Sequence, residues 1–114
     1  MTARLIGLSI GIPKNLTFRS ERLRKAVTEL PCMCCGIEGR TQAAHTNYGK
    51  GGAIKASDAR IMALCADSPG YVGCHSKVDA RSDMTKLERR AFEDEMVALT
   101  YIALMECGLL EVAA

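Results

Sequence analysis

The apolar positions change their spacing several times along the chain, and each change marks an expected element. Leu5-Ile6-Gly7-Leu8-Ser9-Ile10-Gly11-Ile12 mixes apolar with small residues and ends at Pro13, so residues 1–18 read as a short strand or an arm. Ser20 then offers an N-cap, and Leu23, Val27 and Leu30 follow at i, i+4 and i+7 until Pro31 interrupts, which predicts a helix over 19–30. Between 31 and 60 periodicity is weak. Thr41-Gln42-Ala43-Ala44-His45 reads as a short strand, and Tyr48-Gly49-Lys50-Gly51-Gly52 as a loop, because three glycines in four residues sustain neither helix nor strand. Arg60-Ile61-Met62-Ala63-Leu64-Cys65 predicts a second strand, Asp67-Ser68-Pro69-Gly70 a turn, and Cys74 to about Arg81 a short helix.

Thr85-Lys86-Leu87-Glu88 has the form of a capping box and opens the last helix, 85–107. From Met96 to Met105 nine of ten residues are apolar, Thr100 being the exception, so this stretch is expected to be buried on more than one side, in a core or at a dimer seam. It falls short of the ~18 apolar residues of a membrane span.

With 114 residues, no Trp, two Phe and three Tyr, the chain suits one domain with a small core. Six cysteines in such a chain therefore call for an explanation. The Leu5–Ile12 run has no small-residue cleavage site after it, so no signal peptide is expected. A cytoplasmic location follows, where clustered cysteines bind metal more often than they form disulfides. The net charge of +2 is uninformative, but its distribution is uneven: residues 1–60 hold ten Lys/Arg against four Asp/Glu, and residues 61–114 five against nine. A basic half suits contact with a polyanion. Arg19, Arg22, Arg24 and Lys25, expected mostly on the exposed side of the first helix, are candidates for phosphate contact, as are Lys50 and Lys55.

Cys32-x2-Cys35 and Cys65-x8-Cys74 form two pairs around a glycine-rich segment. Four thiolates so arranged suit a tetrahedral structural zinc. Cys34, inside the first pair, is an alternative to Cys32 or Cys35, while Cys107 is assigned to the core. The spacing matches no ferredoxin run, and the βαβ pattern of a thioredoxin-like Cys-x2-Cys is missing. Both histidines, His45 and His75, stand beside the cysteines. On a helix His75 and Asp79 are i, i+4 and share a face, where they can hold a metal distinct from the zinc.

In this order (Cys-x2-Cys, Ala44-His45 ending a strand, Gly49–Gly52, Lys55-Ala56-Ser57-Asp58, Leu64-Cys65 ending a strand, Cys74-His75 on a helix) the stretch Cys32–Asp79 resembles the HNH, ββα-metal or His-Me finger, nucleases. The likeness is greatest to small phage- and prophage-encoded nucleases with a four-cysteine zinc. The resemblance implies an α+β fold: a zinc-stapled ββα unit over 31–82, flanked by the first helix and the long last one. It implies an endonuclease that hydrolyses DNA phosphodiesters, branched or single-stranded substrates included, in phage recombination or processing inside a bacterial host cell. His45 would be the general base, and His75 and Asp79 would hold catalytic Mg²⁺ or Mn²⁺, with Zn²⁺ also admitted. Two positions depart from the family: Ala44 stands where many members place a metal-binding Asp or His, and Asp58 where they place the Asn that orients the base. Asp58 then either orients His45 or approaches the metal. A homodimer through the 96–105 helix would let two sites cut two strands. The competing reading is a non-catalytic four-cysteine zinc module that binds DNA or protein.

Overall fold

The computed structural model describes residues 17–46, 57–79 and 83–113. The 1–16 arm, the Gly49–Gly52 loop, Lys50, Lys55, Arg81 and the side chain of Asp79 lie outside the described residues.

The elements run α1 (Glu21–Thr28), β1 (Thr41–His45), β2 (Ile61–Cys65), α2 (Cys74–Asp79) and α3 (Lys86–Glu106), an α+β chain with one antiparallel two-stranded sheet. α1 is shorter than the expected 19–30. Ser20 caps it, its side chain accepting from the Leu23 amide, and Glu29 closes it just before Leu30 and Pro31. Thr85 and Glu88 form the expected reciprocal capping box at the start of α3.

The strands pair in register with Thr41 opposite Cys65, Ala43 opposite Ala63 and His45 opposite Ile61. Period-2 alternation sends the side chains to opposite faces. Ala43, Ile61 and Ala63 pack with Val27, Leu30 and Leu104 on the side of α1 and the C-terminal part of α3. Ala44, Met62 and Leu64 pack with Cys74, Val78 and Met96 on the side of α2. Every residue of β2 is buried as a result, which accounts for its unbroken apolar run.

The edge of β2 away from β1 is covered as well. The Ala63 amide donates to Thr100 Oγ1 at 3.0 Å, and the Ala63 carbonyl accepts from the Met33 amide at 2.8 Å. Thr100, the one polar residue in the apolar stretch of α3, also donates to the Met96 carbonyl, so its hydroxyl is fully used while buried. The outward amide and carbonyl at the middle of β2 are thereby both satisfied.

Two expectations about α3 are corrected. Met96, Thr100 and Leu104 line one buried face, while Leu99, Ile102 and Met105 remain exposed, so the stretch is buried on one side within the chain. A single two-stranded sheet offers too little apolar surface to surround it. Cys107 is exposed, because it is the C-cap of α3 and lies beyond the core contacts. No described helix is long and apolar enough to cross a membrane.

Candidate metal centre and histidine–aspartate pair

Cys32, Cys35, Cys65 and Cys74 converge, with all four Sγ atoms within 4.8 Å of one another. Two local structures deliver them. Gly36, with φ of 83°, turns the chain so that its amide reaches the Cys32 carbonyl and the Cys32 amide reaches the Ile37 carbonyl, which folds the two thiols of the first pair together. Cys65 ends β2 and Cys74 begins α2. Between them Asp67 accepts from the Gly73 amide at 2.7 Å and from the Ser76 hydroxyl at 2.9 Å, which ties the turn to the start of α2. A Cβ on Gly73 would lie 2.4 Å from the Cys65 carbonyl oxygen, so this approach requires glycine. Cys34 stands outside the converging group, which consists of Cys32 and Cys35 from the first pair with Cys65 and Cys74.

Four thiolates around one tetrahedral zinc, each about 2.3 Å from the ion, stand about 3.8 Å apart. The Cys35 and Cys65 sulfurs are 3.8 Å apart. The cluster therefore fits a metal ion such as zinc. Its protons are unevenly held. The Cys35 thiol is drawn down to about 6, first by the Ile37 backbone and then by the Tyr71 hydroxyl. Burial pushes Cys65 up, but the Cys74 amide and Tyr71 outweigh it and leave that thiol lowered. Cys74 is raised by burial and by the neighbouring thiols. A cation that takes all four as thiolates displaces the protons that remain, so its affinity rises with pH.

Tyr71 has no counterpart in the sequence reading. The Ser68–Tyr71 turn brings its hydroxyl to 3.4 Å from Cys65 Sγ and 3.7 Å from Cys35 Sγ. Its ring lies beneath the guanidinium of Arg40, 5.0 Å from the centroid, and the ammonium of Lys77, at 6.0 Å. Asp67-Ser68-Pro69-Gly70 is legible as a turn, but nothing in the spacing shows what that turn carries.

The second site lies at the end of β1. His45 Nε2 and Asp58 Oδ1 are 2.7 Å apart, with the carboxylate fully buried and 22% of the imidazole exposed. Asp58 Oδ2 accepts from the Ser20 amide at 2.7 Å and from Arg24 Nη1, and Arg19 stands 3.6 Å from Oδ1. Burial by itself would raise the Asp58 carboxyl; His45, the Ser20 amide, Arg24 and Arg19 together hold it below the usual carboxylate range. An ionised Asp58 accepts the proton of Nε2–H, which leaves Nδ1 as the basic nitrogen of His45. Of the two roles open to Asp58, contact with His45 is the one observed.

Arg24 is half-buried against Asp58, which corrects its assignment to the exposed side of α1, whereas Arg19 stays exposed as expected while reaching the same carboxylate. A buried carboxylate draws them in, because an unpaired charge there would be costly. Lys25 is exposed and pairs with Glu21, and Arg22 is exposed as well.

His75 lies on α2, where Nδ1 is 2.9 Å from Gln42 Oε1. An amide oxygen can only accept, so Nδ1 carries a proton, and a neutral ring so held would offer Nε2 to a metal. Gln42 was not among the residues singled out from sequence. Strand alternation puts Gln42 on the α2 side of β1 and His45 on the α1 side, so the two histidines approach from different faces of the sheet. Among the described residues, the four cysteines are the one group of three or more potential metal ligands that converges.

No protein-family model matches the chain, and no curated protein or solved structure does.

Proposed function

We propose that this chain is a metal-dependent endonuclease of the HNH type, acting on DNA phosphodiesters. The observation that carries the reading is the His45–Asp58 pair: a part-exposed imidazole at a strand end, oriented by a buried carboxylate that two arginines and a backbone amide keep ionised. That arrangement suits a general base, since the carboxylate fixes the tautomer and stabilises the imidazolium that forms. The β1–β2–α2 order and the cysteine cluster at its base are consistent with the same reading.

On this reading the scissile phosphate sits at the C-terminal end of β1. Nδ1 of His45 takes a proton from the attacking water, and Asp58 holds the ring through Nε2. His75 and Asp79 on the same helix would hold the catalytic Mg²⁺ or Mn²⁺ on the other face of the sheet from His45, so the phosphate would have to bridge the end of the strand between them. Such a cation supplies charge neutralisation at the phosphate and the leaving 3′-oxygen. The cysteine-bound zinc would be structural, with no open position. Branched or single-stranded DNA and a place in phage DNA processing remain part of the proposal. A second copy seated on Leu99, Ile102 and Met105 is the dimer it allows, and light scattering reads that directly.

The test is nicking of supercoiled plasmid in Mg²⁺ or Mn²⁺ by the wild type and by His45→Ala purified in parallel. Loss of nicking in the variant, with zinc content unchanged, is expected. The competing reading, a zinc module without activity, draws on the cysteines being the one convergent ligand group among the described residues. It predicts no nicking by either protein.

A further inference from the structure

Arg40 and Lys77 come from distant parts of the chain, yet both stand over the ring of Tyr71, at 5.0 and 6.0 Å from its centroid. Both are exposed. Gathering two like charges on one ring costs repulsion, and each cation–π contact offsets only ~0.5–1 kcal/mol at an exposed site. The ring is itself anchored, since its hydroxyl hydrogen-bonds to the Cys35 and Cys65 sulfurs. Arg40 lies just before β1, its carbonyl accepting from the Ala66 amide next to Cys65, and Lys77 shares α2 with Cys74 and His75. The two cations thus flank the turn that carries Tyr71 beside the cysteine cluster.

We infer that Arg40 and Lys77, held over Tyr71 beside the four-cysteine cluster, form a binding site for the phosphates of a nucleic-acid backbone. The inference rests on the endonuclease reading for its ligand, and it gives that enzyme a substrate-holding surface away from His45. Arg40 supplies a planar fork for one phosphate and Lys77 a point charge for a second. Neither contact reads a base, so the site is indifferent to sequence. The metal cluster positions the pair through Tyr71.

Fluorescence anisotropy tests this with the full-length, zinc-loaded chain and a labelled DNA duplex, titrated at several salt concentrations without added Mg²⁺ or Mn²⁺. Arg40→Gln/Lys77→Gln is expected to bind about tenfold more weakly, with the slope of log K against log salt reduced by about 1.8, two phosphates' worth. Arg40→Lys/Lys77→Arg, which keeps both charges, is expected to stay near the wild type. Lys86→Gln/Arg90→Gln, on α3, makes the same change in net charge and is expected to leave binding within about twofold. Wild-type affinity in the first variant, an equal loss in the α3 variant, or no binding by the wild type would each overturn the site. A variant that keeps its DNA affinity but surrenders zinc more readily to a chelator would show that the cations only offset the negative charge of the thiolates, and would overturn it as well. Binding is read without catalysis, so failure of the endonuclease reading appears separately, as His45-independent nicking or none.

Discussion

The cysteine cluster and the His45–Asp58 pair are built in opposite ways. The cluster draws its ligands from two short local turns, and its sulfurs need only stand close together for one ion to organise them. The pair unites the end of β1 with a buried residue 13 positions later, and a third element, α1, holds that residue through Ser20 and Arg24. A cluster can impose its own geometry by binding a metal. A base–carboxylate pair has only the surrounding fold to position it. A metal bound at the first site is therefore expected to act on stability, and loss of His45 from the second to act chiefly on chemistry.

The largest effect that would sharpen this contrast is loss of the metal. Structural zinc in small domains carries an apparent binding free energy of about 10 kcal/mol or more, and Cys32, Cys65 and Cys74 form part of one of the two core clusters. Cys65→Ser, or treatment with a strong zinc chelator, is expected to abolish the cooperative thermal transition in circular dichroism. His45→Ala is expected to leave that transition nearly in place. A chelated protein that melts as before would break the contrast at its stronger end.

Next in size is Asp58→Asn. It leaves Arg24 facing a neutral amide beside a buried position, at a cost of about 3 kcal/mol, and lowers any nicking rate by about 10²-fold. The carboxyl's folded value lies below its unfolded one. Its contribution to stability is thus full above the unfolded value and is lost as pH falls through the lowered one. Carboxyl-carbon NMR of the metal-loaded wild type checks this: the Asp58 signal is expected to keep its ionised position from pH 7 down to about 4.5, where an unpaired carboxylate has begun to protonate. A signal that moves over that range would place the effect elsewhere.

The smallest effect expected is that of Thr100→Val, about 1–2 kcal/mol, because the Ala63 amide loses its buried acceptor. Thr100→Ser keeps the hydroxyl and is expected to lose less. Urea midpoints order the three proteins.

The parts legible from sequence are those written locally. The Cys-x2-Cys pair, the Ser20 and Thr85 caps, and both strands to within a residue follow from spacing and capping chemistry. Contacts between elements were less visible. Arg24 looks like one more surface cation of α1 until Asp58 is buried beside it. Thr100 looks like an interruption in an apolar stretch until the β2 edge presents the Ala63 amide. Gln42 and Tyr71 carry no motif at all; each matters because folding brings it to His75 or to the cysteine sulfurs.

The central claim is that His45, held by Asp58, is a general base, and chemical rescue tests it most directly. Plasmid nicking in Mg²⁺ or Mn²⁺ is measured for the wild type and for His45→Ala, with and without added imidazole. The account predicts nicking by the wild type, a loss of about 10²-fold or more in the variant, and partial recovery with imidazole. Equal nicking by both proteins, or none by a folded, zinc-loaded wild type, would contradict it.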